Sequence, residues 1–278
     1  MVSSPESHYQ VTIVKYGTRS TVRSDVYLNY PLYHEADAPI EMDYFFWILR
    51  GANRTIVVDT GFSAAGGAVR NRTSLADVAE LFAAFGVDPS TSPDVVVTHA
   101  HYDHIGNLRL FRNSRVIMAR DEYDFWSSKS AQRVMFHHSV QDEEIGYLHD
   151  VERREKLVLF DDNYEVAPCV TITKVGGHTP GQSVVRVETS EGSVLLASDA
   201  IHYYEEYERD MLFMSVANLV DMYEGFDRIR ELVESGDVAH LVSGHDPDTL
   251  NRFTAATGPY GHLAATIGVL PPVKGTDS

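Results

Sequence analysis

The stretch Val96-Val97-Thr98-His99-Ala100-His101-Tyr102-Asp103-His104-Ile105-Gly106-Asn107 packs three histidines and one aspartate into consecutive turns of chain. It continues Asp94–Thr98 (DVVVT), a β-branched run introduced by Pro93 that reads as a buried strand. Side chains on an extended segment alternate between faces, so His99 and His101 project to the same side. Once the chain turns, Asp103 and His104 can point into a neighbouring space. The pattern suits two metal ions side by side, one held by His99 and His101, the other by Asp103 and His104.

Three more candidate ligands each end a strand-like run and sit in a turn. His178 lies in Gly176-Gly177-His178-Thr179-Pro180-Gly181, Asp199 follows SVLLAS, and His245 follows HLVSG. Ligands at the ends of several strands can converge at one edge of a sheet. Five histidines and two aspartates suit zinc, with iron or manganese as alternatives, and need no thiolate. That matters because Cys169 is the one cysteine of the chain, which excludes an internal disulfide framework.

Around these turns the sequence alternates strands and helices. Strands are expected at 9–16, 42–50, 55–59, 94–98, 115–119, 170–175, 183–189, 193–198 and 238–243, and helices at 74–85 and about 215–234. The first helix is expected to start at a Ser74 N-cap and to stop at Gly86. The segment 120–156, rich in charge and aromatics, reads as a helical insert. No repeat or Gly/Ser linker interrupts the chain, so one domain over 1–270 with a disordered tail at 271–278 is expected. Strand and helix groups in both halves point to the α/β class, with sheets covered by helices.

Composition narrows the partners. The 278 residues hold 40 acidic and 23 basic side chains, for a formal net charge of −17. Such a chain lacks the basic footprint of a nucleic-acid binder and is a poor match for an anionic membrane surface. The opening residues MVSSPESHYQ lack a basic region followed by an apolar one, and no apolar run reaches membrane-spanning length. A cytoplasmic location and a small-molecule substrate are the expectations.

The seven residues His99, His101, Asp103, His104, His178, Asp199 and His245 resemble the full ligand set of the metallo-β-lactamase-fold hydrolases. Val58-Asp59-Thr60-Gly61 is similar to the Asp-containing turn that precedes the HxHxDH element there. The resemblance spans about residues 42–250 and implies a four-layer αβ/βα sandwich of two mixed β-sheets with outer helices. It also implies two Zn2+ per chain: His99, His101 and His178 on the first, Asp103, His104 and His245 on the second, Asp199 bridging. A hydroxide shared by the ions would be the nucleophile, and Asp103 would orient it and pass a proton to the leaving group.

Among the branches of that family, the chain most resembles the N-acyl homoserine lactonases, the quorum-quenching enzymes, and their relatives acting on other lactones. The wording Gly-His-Thr-Pro-Gly around His178 and the ligand spacings are similar. The resemblance implies opening of a lactone, or of a related ester or cyclic amide, and allows a homodimer. A glyoxalase II-type thioester hydrolase and a mononuclear-iron persulfide dioxygenase-like oxidoreductase are the alternatives. The lactonases carry a Tyr three residues after the bridging Asp; here the position is His202, followed by Tyr203 and Tyr204. His202 is therefore expected to assist the substrate carbonyl. Tyr203 and Tyr204, with Phe136 and His138 of the insert, are expected to contact substrate. Tyr123, Phe125, Trp126 and His137 belong to the same aromatic region of the insert, and Tyr203–Phe213 (YYEEYERDMLF) is a second aromatic region that could shape the pocket.

Overall fold

The computed structural model describes residues 8–270. The expected tail at 271–278 lies outside the described residues. Two long strands, β1 (Gln10–Val22) and β2 (Pro39–Arg50), pair antiparallel over almost their whole length, with a bulge between Lys15 and Gly17. They are followed by β3 (Thr55–Val58), β4 (Thr73–Ser74), β5 (Asp94–Val96), β6 (Val116–Ala119) and β7 (Leu157–Phe160). The smaller sheet is built from β8 (Asn163–Ala167), β9 (Val170–Lys174), β10 (Ser183–Thr189), β11 (Gly192–Ser198) and β12 (His240–Ser243). Finally, β13 (Thr254–Ala255) and β14 (Ala264–Ile267) return to the larger sheet. The larger sheet runs β13-β14-β1-β2-β3-β5-β6-β7, with β4 on β1, and the smaller runs β12-β11-β10-β9-β8. Both sheets are mixed: β3, β5, β6 and β7 are parallel, as are β11 and β12, and the remaining pairs are antiparallel.

Period-2 alternation explains why the sheets stack. On β2, Phe45, Trp47 and Leu49 face Val185, Val187, Val194 and Leu196 of the smaller sheet in one apolar cluster. Their neighbours Tyr44, Phe46 and Ile48 point the other way, into a cluster with Leu81, Phe82 and Leu148. On β11, Leu195 and Ala197 face outward onto Met222, Phe226 and Ile229. The helices lie on these outer faces: α1 (Ala64–Ala68), α2 (Val78–Ala84), α3 (Tyr102–Ile105), α4 (Arg120–Trp126), α5 (Val134–His137), α6 (Asp142–Arg153), α7 (Tyr204–Arg209) and α8 (Leu219–Glu234). The result is the α/β four-layer sandwich that the sequence resemblance implied. No helix among the described residues is long and apolar enough to cross a membrane.

Several boundaries differ from expectation for local reasons. The helix expected from Ser74 starts at Val78, because Ser74 pairs with Gly17 as part of β4 and Asp77 supplies the cap to Glu80 N. It does end at Gly86, which takes a left-handed φ of 72°. The helix expected from 215 starts at Leu219, where the Asn218 side chain accepts from Val220 N and Asp221 N. The insert 120–156 holds three helices, α4, α5 and α6, broken at 127–133 and 138–141.

A buried acid ties α6 of the insert to the body. Glu144 on α6 accepts from Ser63 Oγ at 2.8 Å, and Ser63 in turn caps α1 by accepting from Gly66 N. Burial pushes the Glu144 carboxyl up from its ordinary 4.5 to about 7, against the pull of Ser63 and Arg70. A carboxyl raised on folding binds more protons in the native state, so it costs stability as pH rises from about 4.5 through 7. Glu144→Gln is therefore expected to be more stable than the parent at pH 8, with the difference vanishing at pH 4 in denaturant unfolding. An advantage that is the same at both pH values would contradict this.

Candidate metal centre

Strand ends supply the site. The chain leaves β5 at Val96 and reaches His99 within three residues, and His101 is the N-cap of the single turn α3. That turn rotates Asp103 and His104 onto one side. His178 comes from the β9–β10 loop, Asp199 follows β11 after Ser198 turns left-handed at φ 47°, and His245 follows β12. Gly244 permits the last approach, since a Cβ there would sit 2.6 Å from Ser198 O.

The seven side chains predicted from sequence come together. His99, His101, His178 and Asp199 form one group able to hold a metal ion, and Asp103, His104 and His245 form a second. All seven are buried, none more than 6% exposed. Asp199 faces both groups: Oδ2 is 3.3 Å from His178 Nε2 and 3.6 Å from His99 Nε2, and Oδ1 is 3.1 Å from His245 Nε2 and 3.3 Å from His104 Nε2, with His245 Nε2 also 3.3 Å from Oδ2.

Outer partners set which nitrogen faces inward. His178 Nδ1 donates to Ser215 O at 2.7 Å, and His245 Nδ1 donates to Asp43 O at 2.7 Å. A carbonyl only accepts, so the proton sits on Nδ1 and the Nε2 lone pair is left for the centre. His104 Nδ1 donates to Asp59 Oδ2 at 2.7 Å, and Asp59 also accepts from Thr98 N and Thr98 Oγ1. Asp59 takes a left-handed φ of 59° just after β3 to make this contact. Carboxylate or carbonyl partners of this type are what orient ligand imidazoles.

Two observations fit a cation. The Nε2 atom of His99 is buried without a hydrogen bond, a costly arrangement unless its lone pair has a Lewis acid. Burial and neighbouring imidazoles also hold His99 and His101 well below the ordinary histidine range, and His178 down to about 3. Those rings are neutral and free to coordinate. For Asp199, burial works against ionisation, but His245, His104 and His202 outweigh it and keep the carboxylate charged.

The residues expected to contact substrate divide. Phe136 and His138 line a cavity of about 860 Å³ over the centre, together with His101, Asp103, His178 and Asp199. Tyr203 and Tyr204 do not line it. The Tyr203 hydroxyl donates to Glu41 O at 3.0 Å and the Tyr204 hydroxyl to Leu241 O at 3.1 Å, so both phenols are committed to backbone elsewhere. Nor does His202 line the cavity. It is fully buried, stacked on Phe213 at 3.7 Å between centroids, with Nε2 3.2 Å from Asp199 Oδ2 and Nδ1 3.2 Å from Glu206 Oε2. Burial opposes its charge, but Glu206 and Asp199 raise it to about 9.

Two acids behind the site escaped the sequence reading. Glu206 holds the His202 backbone N–H and ring. Glu122 on α4 is wholly buried and accepts four hydrogen bonds: Ala100 N at 2.8 Å, Trp126 Nε1 at 2.7 Å, Thr179 Oγ1 at 2.7 Å and Gly181 N at 2.9 Å. It thereby clasps the His99–His101 loop to the His178 loop. Gly181 is required there, because a Cβ would lie 2.4 Å from Glu122 N. Nothing in the segment RDEYDFW distinguishes Glu122 from the acids beside it except its single-turn spacing to Trp126. Glu122→Ala leaves four buried donors unpaired and is expected to cost at least about 3 kcal/mol in denaturant unfolding. A loss within the range of a surface substitution would contradict the clasp.

The model of the metallo-beta-lactamase superfamily matches residues 43–245, which include every residue of the two groups. An N-acyl homoserine lactonase AttM of Azorhizobium caulinodans is 31% identical over 192 residues, 64% of this chain and 66% of the relative. The matched region thus spans just under two thirds of that relative's length. The N-acyl homoserine lactonase AiiA of Bacillus thuringiensis subsp. kurstaki is 26% identical over 169 residues, 58% of each chain. Among solved structures, an N-acyl homoserine lactone hydrolase with the product N-hexanoyl-L-homoserine at its catalytic metal centre superposes with a TM-score of 0.73. It is 19% identical and covers 88% of this chain and 96% of its own. AidC, a dizinc quorum-quenching lactonase, superposes at 0.66 with 18% identity, over 88% of this chain and 92% of its own. By its matched region, its two stacked sheets and the ligand groups at their edge, the chain belongs to the metallo-beta-lactamase superfamily.

Proposed function

We propose that the protein is a two-zinc hydrolase that opens lactones or closely related esters and cyclic amides. The observation that carries this reading is the way Asp199 faces both groups at once, Oδ2 beside His99 and His178 and Oδ1 beside His104 and His245. One carboxylate facing both is what joins two ion sites into a single reaction centre. His99, His101 and His178 would hold the first ion, Asp103, His104 and His245 the second, with Asp199 between them. When bound, a pair of divalent ions supplies Lewis acidity, giving a nucleophilic water at neutral pH and polarising the attacked carbonyl.

The chain's own residues supply the rest. Asp103 lies on the cavity wall with Oδ2 3.8 Å from His245 Nε2 and 3.9 Å from His104 Nε2, placed to hold a proton and deliver it to the leaving oxygen. His202 is a positioning residue: it braces Asp199 from behind, under the hold of Glu206, and does not touch the carbonyl. The cavity is within the size range of small-ligand sites, and one side is apolar, with Phe136, Phe213 and Val216. Its relatives named as N-acyl homoserine lactonases support an ester-type substrate, and the acidic balance of the chain supports a small molecule over nucleic acid.

A pH-indicator assay over lactones, thioesters and cyclic amides is expected to show turnover of lactones first. His101→Ala and Asp199→Ala are each expected to lower kcat/KM by more than about a hundredfold, beyond the usual effect of outer partners. Retained activity in both would sink the two-ion reading, and turnover of thioesters alone would redirect it. His202→Gln is expected to lower kcat about 10- to 100-fold with KM little changed. A raised KM at unchanged kcat would instead make His202 a substrate contact.

A further inference from the structure

The cavity over the centre has a second wall that the hydrolytic reading does not use. Arg19 on β1, Arg70 and Arg72 line it beside Tyr44 and Tyr102. Asp25 is the one carboxylate of the lining that belongs to neither histidine group. No carboxylate among the described residues, Asp25 included, forms an ion pair with any of these three arginines. Scarcity of acids is not the reason, because the chain has 40 of them against 23 bases. Nearby, Arg23 is bound at both Nη atoms by Glu205, at 2.7 and 3.0 Å.

The three arginines differ in how much of the guanidinium is spent. Arg70 is committed to the fold: it donates to Gly66 O, His138 O and Val140 O and lies 4.1 Å over the Tyr102 ring. Arg72 donates Nε to the Tyr102 hydroxyl at 3.0 Å and Nη1 to Arg70 O at 2.6 Å and lies 5.9 Å over the Tyr44 ring, which fixes the plane of the group and leaves Nη2 without a hydrogen bond among the described residues. Arg19 makes one side-chain bond, Nη2 to Thr21 Oγ1 at 3.2 Å, and its Nε is buried with no hydrogen bond. With no acid partner, the Arg19 and Arg72 side chains keep guanidinium donors free for an anion on the cavity wall. Planar guanidinium donors are matched by a carboxylate. Asp25 on the same wall and the net charge of −17 favour a single negative charge over a polyanion. The lining also has an apolar and open part, with Val134 81% and Met135 76% exposed.

We infer that Arg19 and Arg72 form a carboxylate-binding wall, so that the substrate is a lactone or ester bearing one carboxylate, with an apolar portion toward Val134 and Met135. This rests on the hydrolase reading of the same cavity. It separates the protein by substrate charge from enzymes whose lactone substrates are neutral.

The test uses the purified metal-loaded protein and matched pairs: γ-butyrolactone γ-carboxylate against its carboxamide, and 4-acetoxybenzoate against 4-acetoxybenzamide. Each rate is normalised to its hydroxide-catalysed rate. The carboxylates are expected to be favoured by at least about tenfold in kcat/KM, mostly through KM. That ratio is expected to fall with added NaCl, and to fall about fivefold or more in Arg72→Gln and in Arg19→Gln, with partial recovery in Arg72→Lys. A ratio near one in the parent, or one unchanged in both Gln variants, overturns the wall. Calorimetric binding of 4-acetamidobenzoate, which has no ester to cleave, is read in parallel. No turnover of any pair, with binding that is weakened in both Gln variants, would remove the hydrolase reading and leave the wall standing. Binding equal in parent and variants would overturn the wall whatever the turnover.

Discussion

One buried carboxylate organises this protein. Asp199 is 3% exposed and has five imidazoles, His99, His104, His178, His202 and His245, within 3.6 Å. An ionised acid this deep is costly unless its surroundings supply compensating charge and hydrogen bonds. Two cations between it and the imidazoles would meet that cost, and the inward-facing Nε2 atoms are arranged for them. The demand extends outward, because each imidazole must be held in one tautomer. Asp59 does this for His104, Ser215 O for His178 and Asp43 O for His245.

The sandwich is the device that brings these groups together. Stacking of the two sheets across Trp47, Val185 and Leu196 places the ends of β3, β5, β11 and β12 at one rim. The ligands then sit on short turns anchored in rigid strands, which is more precise than a site carried on long loops. Where two ligand loops must touch, the chain uses a buried side chain as a tie. Glu122 binds backbone from both and belongs to the insert that also contributes Phe136 and His138 to the cavity. The insert thus connects substrate access to ligand placement through α4.

Much of the centre was legible in the sequence because metal ligation needs particular residue types at particular spacings. His99 to His104 fall within six residues after a β-branched strand, and His178, Asp199 and His245 each follow a strand in a turn. The main strands were legible from alternation and β-branched content, whereas β7, β8, β13, β14 and α7 passed unmarked as short runs. What stayed hidden depends on tertiary direction. Glu122 and Glu206 look like solvated helix acids until their burial is seen. Tyr203 and Tyr204 stand next to His202 in sequence, yet backbone carbonyls across the fold, Glu41 O and Leu241 O, claim their hydroxyls. The same holds for Arg19 and Arg72, far apart along the chain and brought side by side where β4 pairs with β1, Thr18 opposite Thr73.

The central claim is that Asp199 joins two ion sites into one centre, and counting metal tests it most directly. Elemental analysis of the purified protein, with zinc titrated to saturation, is predicted to give two ions per chain in the parent and fewer in Asp199→Ala. One ion per chain in the parent at saturation, or two in Asp199→Ala bound as tightly as in the parent, would contradict the account.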